Sequence, residues 1–157
     1  KDLSVIDDID ALSQISLNSM PSEEYLLRDE DIVFVRSNGN KNLVGRCVMV
    51  YPQDKALTFS GFCIRFRKSS DRVLTRYLLQ LLKLPSVRKK MAGRGANIQN
   101  LNQKILGQLE IPIPPLEIQQ QYVDFVYKSE LSKLALNQSI ESTTSLIRSL
   151  SQQDFEK

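Results

Sequence analysis

The run Ile111-Pro112-Ile113-Pro114-Pro115-Leu116, with the stretch after it, constrains this chain most. Each proline lacks a backbone donor and pushes its predecessor towards extended geometry, so no helix crosses this run. From Leu116 to Lys157 there is neither glycine nor proline, and one helix from 116 to about 155 is predicted. About 38 residues rising 1.5 Å each span roughly 57 Å. That is long for a globular domain and suits a coiled-coil arm. Tyr122, Val126, Ser129, Lys133, Leu136, Ile140, Thr143, Ile147 and Leu150 step alternately by four and three, a strict a/d seam. Ser129 and Lys133 interrupt it, and Leu131 and Leu134 lie off it. A helix with such a seam needs a partner, and Leu136, Ile140, Ile147 and Leu150 are the residues to meet it.

Upstream, residues 1–115 read as a mixed α/β (α+β) domain and residues 116–157 as the long spacer or dimerisation helix. Residues 1–30 are polar and acidic. A small curved sheet is expected from 31–36, 44–51 and 61–67. Ile32-Val33-Phe34-Val35 is a short apolar run of the buried-strand type. Phe62, Ile64 and Phe66 alternate with Cys63, Arg65 and Arg67, so one face is apolar and the other carries two arginines. The same periodicity predicts that Phe62, Phe66 and Tyr77 are buried. Flanking helices are expected at 72–83 and 86–92. Ser69-Ser70-Asp71 offers N-cap oxygens for the first, and Pro85 suits the first turn of the second. A short helical stretch is expected around Leu101, Ile105 and Leu106.

The formal charge of +3 hides a strong asymmetry. Residues 1–61 carry −4 and residues 105–157 carry −3, whereas residues 62–104 hold eleven Lys/Arg against Asp71 alone. So basic a middle third implies an anionic partner, of which phosphate backbone is the commonest; a merely solvated face is the alternative. No apolar run approaches the ~20 residues that cross a bilayer. The opening Lys1-Asp2-Leu3-Ser4 is polar, unlike a secretory leader, and a cytoplasmic location is expected. Cys47 and Cys63 lie too far apart for a metal motif and read as two reduced core thiols.

Catalytic signatures are sparse. With no histidine, the usual general base and metal ligand is absent. Gly93-x-Gly95 follows a predicted helix rather than a strand, so it is no phosphate cradle. Asp7, Asp8 and Asp10 read as a solvated acidic surface. The chain reads as a binder, with no catalytic, metal or cofactor site of its own. For nucleic acid it offers arginines and lysines, which contact phosphate or guanine, and amides, which pair with an adenine edge. Arg36, Asn38, Asn40 and Lys41 lie between two predicted strands and are the candidates for base reading. Arg65, Arg67, Arg94 and Lys104 are the candidates for phosphate. Asn38-Gly39-Asn40 is also ordinary turn chemistry. With few aromatics in the basic third, duplex binding is favoured over a single-strand stacking platform.

These residues resemble a family. Asn100-Leu101-Asn102-Gln103-Lys104-Ile105-Leu106, followed by Ile111-Pro112-Ile113-Pro114-Pro115-Leu116-Glu117-Ile118-Gln119 and a long helix, resembles the end of a target-recognition domain in type I restriction-modification specificity subunits. Asp31-Ile32-Val33-Phe34-Val35-Arg36, Leu43-Val44-Gly45-Arg46 and Ser60-Gly61-Phe62-Cys63-Ile64-Arg65-Phe66 resemble earlier family segments in the right order, and the match runs from about Tyr25 to Tyr122. Glu30 stands where that family usually has glycine, and Ile118 where an acidic residue is common. The family domain usually begins some tens of residues earlier, a portion expected to be lacking here.

The resemblance implies a non-catalytic subunit that reads one half of a split site in double-stranded DNA. Methyltransferase subunits that carry S-adenosylmethionine would bind it, and a restriction-translocase subunit would join them. The terminal helix would pair with that of a second recognition domain or a second copy of this chain. Pro114, Pro115, Gln119 and Tyr122 become the candidate hinge and docking residues. Two other readings stay open: the recognition domain of a fused restriction-methyltransferase, and a basic protein–protein adaptor with a coiled-coil arm.

Overall fold

Alternating apolar side chains build the sheet. The computed structural model describes residues 4–91 and 100–155. Its four strands are β1 (Val5–Ile6), β2 (Asp31–Val35), β3 (Cys47–Val50) and β4 (Cys63–Phe66). They form one open sheet in the order β1-β3-β2-β4, with β1 parallel to β3 and both β3 and β4 antiparallel to β2. Ile32 pairs with Met49 and Phe66, and Phe34 with Cys47 and Ile64. Because side chains alternate between faces, these six residues share one face and make it apolar.

The second predicted strand, 44–51, loses its start. Lys41–Leu43 forms a single 3-10 turn, and Gly45 has φ +78, the left-handed region that glycine enters without a Cβ clash. β1 lies in the polar opening segment, where its two apolar residues give no periodicity to read. Phe62 differs from expectation as well. It is 69% exposed, because it precedes β4 and escapes the alternation that half-buries Ile64 and Phe66.

The helices are α1 (Thr75–Lys83), α2 (Pro85–Met91), α3 (Gln103–Gly107) and α4 (Leu116–Phe155). α1 starts three residues later than predicted, and Ser69-Ser70-Asp71 does not cap it. Ser70 Oγ instead accepts the Arg72 N–H in a preceding turn, and the N-cap position falls on Leu74, which has no capping side chain of its own. α3 has a side-chain cap: Asn102 Oδ1 accepts the Ile105 N–H at 2.9 Å.

Leu78, Leu79 and Leu82 of α1 press onto Ile32, Phe34, Cys47 and Met49, and Met91 and Leu101 complete the core. Each fully buried aliphatic or aromatic side chain here contributes about 1.5–3 kcal/mol of transfer free energy. The proline run is fastened beside this core by the Tyr77 hydroxyl, which donates to the Pro112 carbonyl at 3.1 Å.

The chain divides into two compact units, residues 1–119 and 120–157. In the second, Leu136, Ile140, Ile147 and Leu150 are all exposed, at 59–64%. The hydroxyls of Ser132, Ser139, Thr143, Thr144 and Ser151 each donate to the carbonyl four residues back, so they are satisfied within their own helix. No described helix is long and apolar enough to cross a membrane.

Candidate nucleic-acid interface

Residues 36–46 join β2 to β3, so the base-reading candidates do lie on a hairpin connection. The loop is not the two-residue turn that Asn38-Gly39 would favour, since only Gly45 among the described glycines has positive φ. Asn38 Oδ1 accepts the Asn40 N–H at 2.9 Å, and Asn40 Oδ1 accepts the Asn42 N–H at 3.0 Å. Two successive Asx turns therefore reverse the chain. Each side-chain oxygen keeps a second lone pair and each amide its NH2 donors, which is the pair of functions an adenine edge requires.

The foot of the loop is stitched by backbone. The Arg36 N–H donates to Phe62 O, the Leu101 N–H to Arg36 O and the Gly45 N–H to Val35 O, all at 2.8–2.9 Å. Ser37 also bridges to Asn100. These bonds draw together three segments remote in sequence. The result is a cleft of about 500 Å³ lined by Arg36, Arg65 and Lys104, the amides Asn102 and Gln103, and Phe59, Cys63 and Ile64. Among the described residues, three cations and no carboxylate line it, an arrangement that an anion relieves.

The cations differ in how free they are. Arg36 and Lys104 are exposed. Arg65 Nη1 donates to the Glu24 carbonyl at 2.6 Å, which orients its guanidinium and leaves its other donors. Arg67 departs from the phosphate-contact expectation. Its Nε and Nη2 donate to the two oxygens of Asp31 at 2.7 and 2.6 Å, and Nη2 also reaches Leu26 O. The Asp31 side chain is 1% exposed and also accepts the Arg28 N–H at 2.8 Å. This bidentate pair raises the Arg67 guanidinium further above its ordinary pKa and commits it to the fold. Lys41 opens the 3-10 turn; its side chain and Arg94 lie outside the described residues.

Glu30, in place of the usual family glycine, has φ +67 and so keeps the left-handed turn that glycine would make. Burial pushes its carboxyl up, but the Thr75 hydroxyl, donating at 2.8 Å, and Lys68 at 3.1 Å outweigh this and hold it below its ordinary 4.5.

Of the hinge and docking candidates, Pro114 is half-buried and Pro115 exposed. Gln119 is fully buried, which removes it as a docking residue and makes it a fastener. Its Oε1 accepts the Leu74 N–H, and its Nε2 donates to Arg72 O and Pro114 O. Tyr122 belongs to the second unit and is half-buried. Sequence reasoning passes over Phe62, which is exposed beside the loop foot, because its position suggests a buried strand face. Asn102 and Gln103 are legible in the sequence only as members of an amide-rich run.

Residues 13–143 match the family model described as the type I restriction modification DNA specificity domain. The chain is 26% identical over 145 residues to the type I restriction enzyme StySPI specificity subunit of Salmonella potsdam, covering 87% of this chain and 31% of that protein. It is 28% identical over 121 residues to the putative MjaX specificity subunit of Methanocaldococcus jannaschii, covering 75% and 28%. It is 31% identical over 117 residues to the EcoKI specificity subunit of Escherichia coli, covering 65% and 22%. The chain thus spans less than a third of the length of these relatives.

Proposed function

The chain belongs to the type I restriction-modification DNA specificity domain family, and from that premise we propose that it reads a short sequence in duplex DNA for such a system. One observation carries the reading: the fold gathers Arg36, Arg65 and Lys104 into one cleft, free of carboxylates among the described residues, at the foot of an exposed, amide-bearing loop. Phosphates approach Arg65 and Lys104, which fixes register. The loop then presents Arg36, Asn38 and Asn40 to base edges in the major groove. Lys41, from its place in the sequence, joins them.

In this reading the chain supplies recognition and no chemistry, and it works in the cytoplasm. Methyltransferase subunits bring the S-adenosylmethionine and the reaction, and a restriction-translocase subunit joins the same assembly. The apolar seam of α4 pairs with the helix of a second recognition domain or of a second copy, so that two half-sites are read together.

The test is selection from a randomised duplex pool with the methyltransferase partner present, at two salt concentrations. Enrichment of one short motif, with affinity falling steeply as salt rises, is the expected result. Salt-dependent binding without enrichment would leave only a basic surface and overturn the reading.

A further inference from the structure

The short helix α2 is tied to the loop by its own basic residues. Arg88 Nη2 donates to the Asn42 carbonyl at 3.0 Å, across 46 positions of sequence. Asn42 is the last link of the Asx chain that runs from Asn38 through Asn40. Three residues on, Met91 is buried against Gly45: a Cβ built on Gly45 would lie 3.6 Å from that of Met91. One helix therefore holds the loop at two points, a charge-assisted bond at Asn42 and a packing contact at Gly45. On the same helix Lys89 and Lys90 are exposed, and neither takes part in an ion pair among the described residues.

We propose that Arg88 is a specificity-determining positioning residue, which sets the pose of the 36–46 loop through the Asn42 carbonyl, while Lys89 and Lys90 each hold a phosphate of the same duplex. This rests on the DNA-reading function above. α2 then serves both roles. The backbone contact made by its lysines and the pose of the base-reading loop are carried by one rigid piece, but the pose itself is set by the Arg88 bond and the Met91 packing and does not depend on the phosphate. A phosphate contact contributes affinity without sequence information, whereas the pose of the loop governs which bases are read.

The two roles separate experimentally. The full chain with its methyltransferase partner is titrated with the selected duplex and with one bearing a central base-pair substitution, across a range of salt. Replacing Lys89 and Lys90 together by alanine is expected to weaken both duplexes equally. It should flatten the slope of log affinity against log salt by about 2, at roughly 0.9 per phosphate contact. Arg88→Ala is expected to lower the ratio of the two affinities about tenfold, the order of one base contact. Arg88→Lys, whose ammonium can still reach the Asn42 carbonyl, should restore much of it. The ratio is independent of the folded fraction, so simple destabilisation does not move it. An Arg88→Ala ratio equal to that of the unmodified protein overturns the positioning role, and a lysine pair that shifts the preferred motif overturns the division of labour. If the unmodified protein prefers no sequence, the DNA-reading function itself fails and this proposal falls with it.

Discussion

The side-chain oxygen of Gln119 accepts the backbone N–H of Leu74 at 2.8 Å, so the first turn of α1 is capped by a residue 45 positions further along. The amide nitrogen of Gln119 meanwhile donates to the carbonyls of Arg72 and Pro114. One buried side chain thus closes a helix start, a turn and the end of the proline run. Gln119→Ala would leave a donor and two acceptors without their partner inside the domain. A loss of about 2–4 kcal/mol is expected in denaturant unfolding monitored by circular dichroism. Gln119→Glu should cost at least as much at neutral pH, because a carboxylate would face two carbonyl oxygens. An alanine variant within about 0.5 kcal/mol of the unmodified protein, the range of an ordinary surface substitution, would contradict this.

Arg67 and Asp31 make a second test of fold against interface. Removing the guanidinium strands a carboxylate that is 1% exposed, with only the Arg28 N–H left to it. Arg67→Ala is expected to cost about 2–4 kcal/mol of stability. The DNA affinity of the fraction that remains folded should change little. If instead stability holds and affinity drops, Arg67 contacts phosphate after all.

Glu30 yields a pH-dependent prediction. Its folded carboxyl lies below its ordinary 4.5, so its contribution to stability is fully present above that value and is lost as pH falls through the lower folded value. Glu30→Gly removes that contribution and also relieves the left-handed backbone, worth about 1 kcal/mol for a residue with a Cβ. The glycine variant should therefore gain on the unmodified protein as the pH is lowered below 4.5. Unfolding curves at neutral pH and at about pH 3, below the usual carboxylate range, measure the gap between the two proteins. A gap that stays constant would show that Glu30 contributes nothing ionic.

Arg36→Ala combined with Asn38→Ala tests the loop itself. Removing either base contact should cost about 1–3 kcal/mol of discrimination against the wrong sequence. An unchanged motif in pool selection would remove the loop from the reading surface.

The seam of α4 leads to an oligomeric prediction. Leu136, Ile140, Ile147 and Leu150 are exposed along one helical stripe. Self-association at micromolar concentration is expected by sedimentation, together with its disappearance in an Ile140→Asp, Ile147→Asp variant. A monomer in both cases would show that the seam is reserved for a different helix.

Periodicity carries most of the architecture. β4, α1 and the 40-residue α4 are legible because their apolar residues repeat, β2 because it is a short apolar run, and α2 because Pro85 suits a first helical turn. Two residues cannot show a period, so β1 becomes visible only through its pairing with β3. The site is legible in kind but not in membership. Charge asymmetry marks the basic third, yet only tertiary contact separates Arg67, paired with Asp31, from Arg65, which lines the cleft. Gln119 stands out for its place in a motif, but its burial depends on the fold of Leu74 and Pro114 around it. Glu30 looks like a departure that would alter its turn; a side chain can tolerate φ +67 when Thr75 and Lys68 reward it.

The stitches at the foot of the 36–46 loop are made by backbone atoms: Arg36 to Phe62, Leu101 to Arg36, Gly45 to Val35. Backbone bonds do not depend on which side chains the residues carry. The loop can therefore exchange its exposed side chains over evolutionary time while its anchorage persists, provided that glycine is retained at 45. If the loop reads DNA as proposed, a change of specificity needs turnover at only a handful of surface positions and leaves these backbone stitches in place.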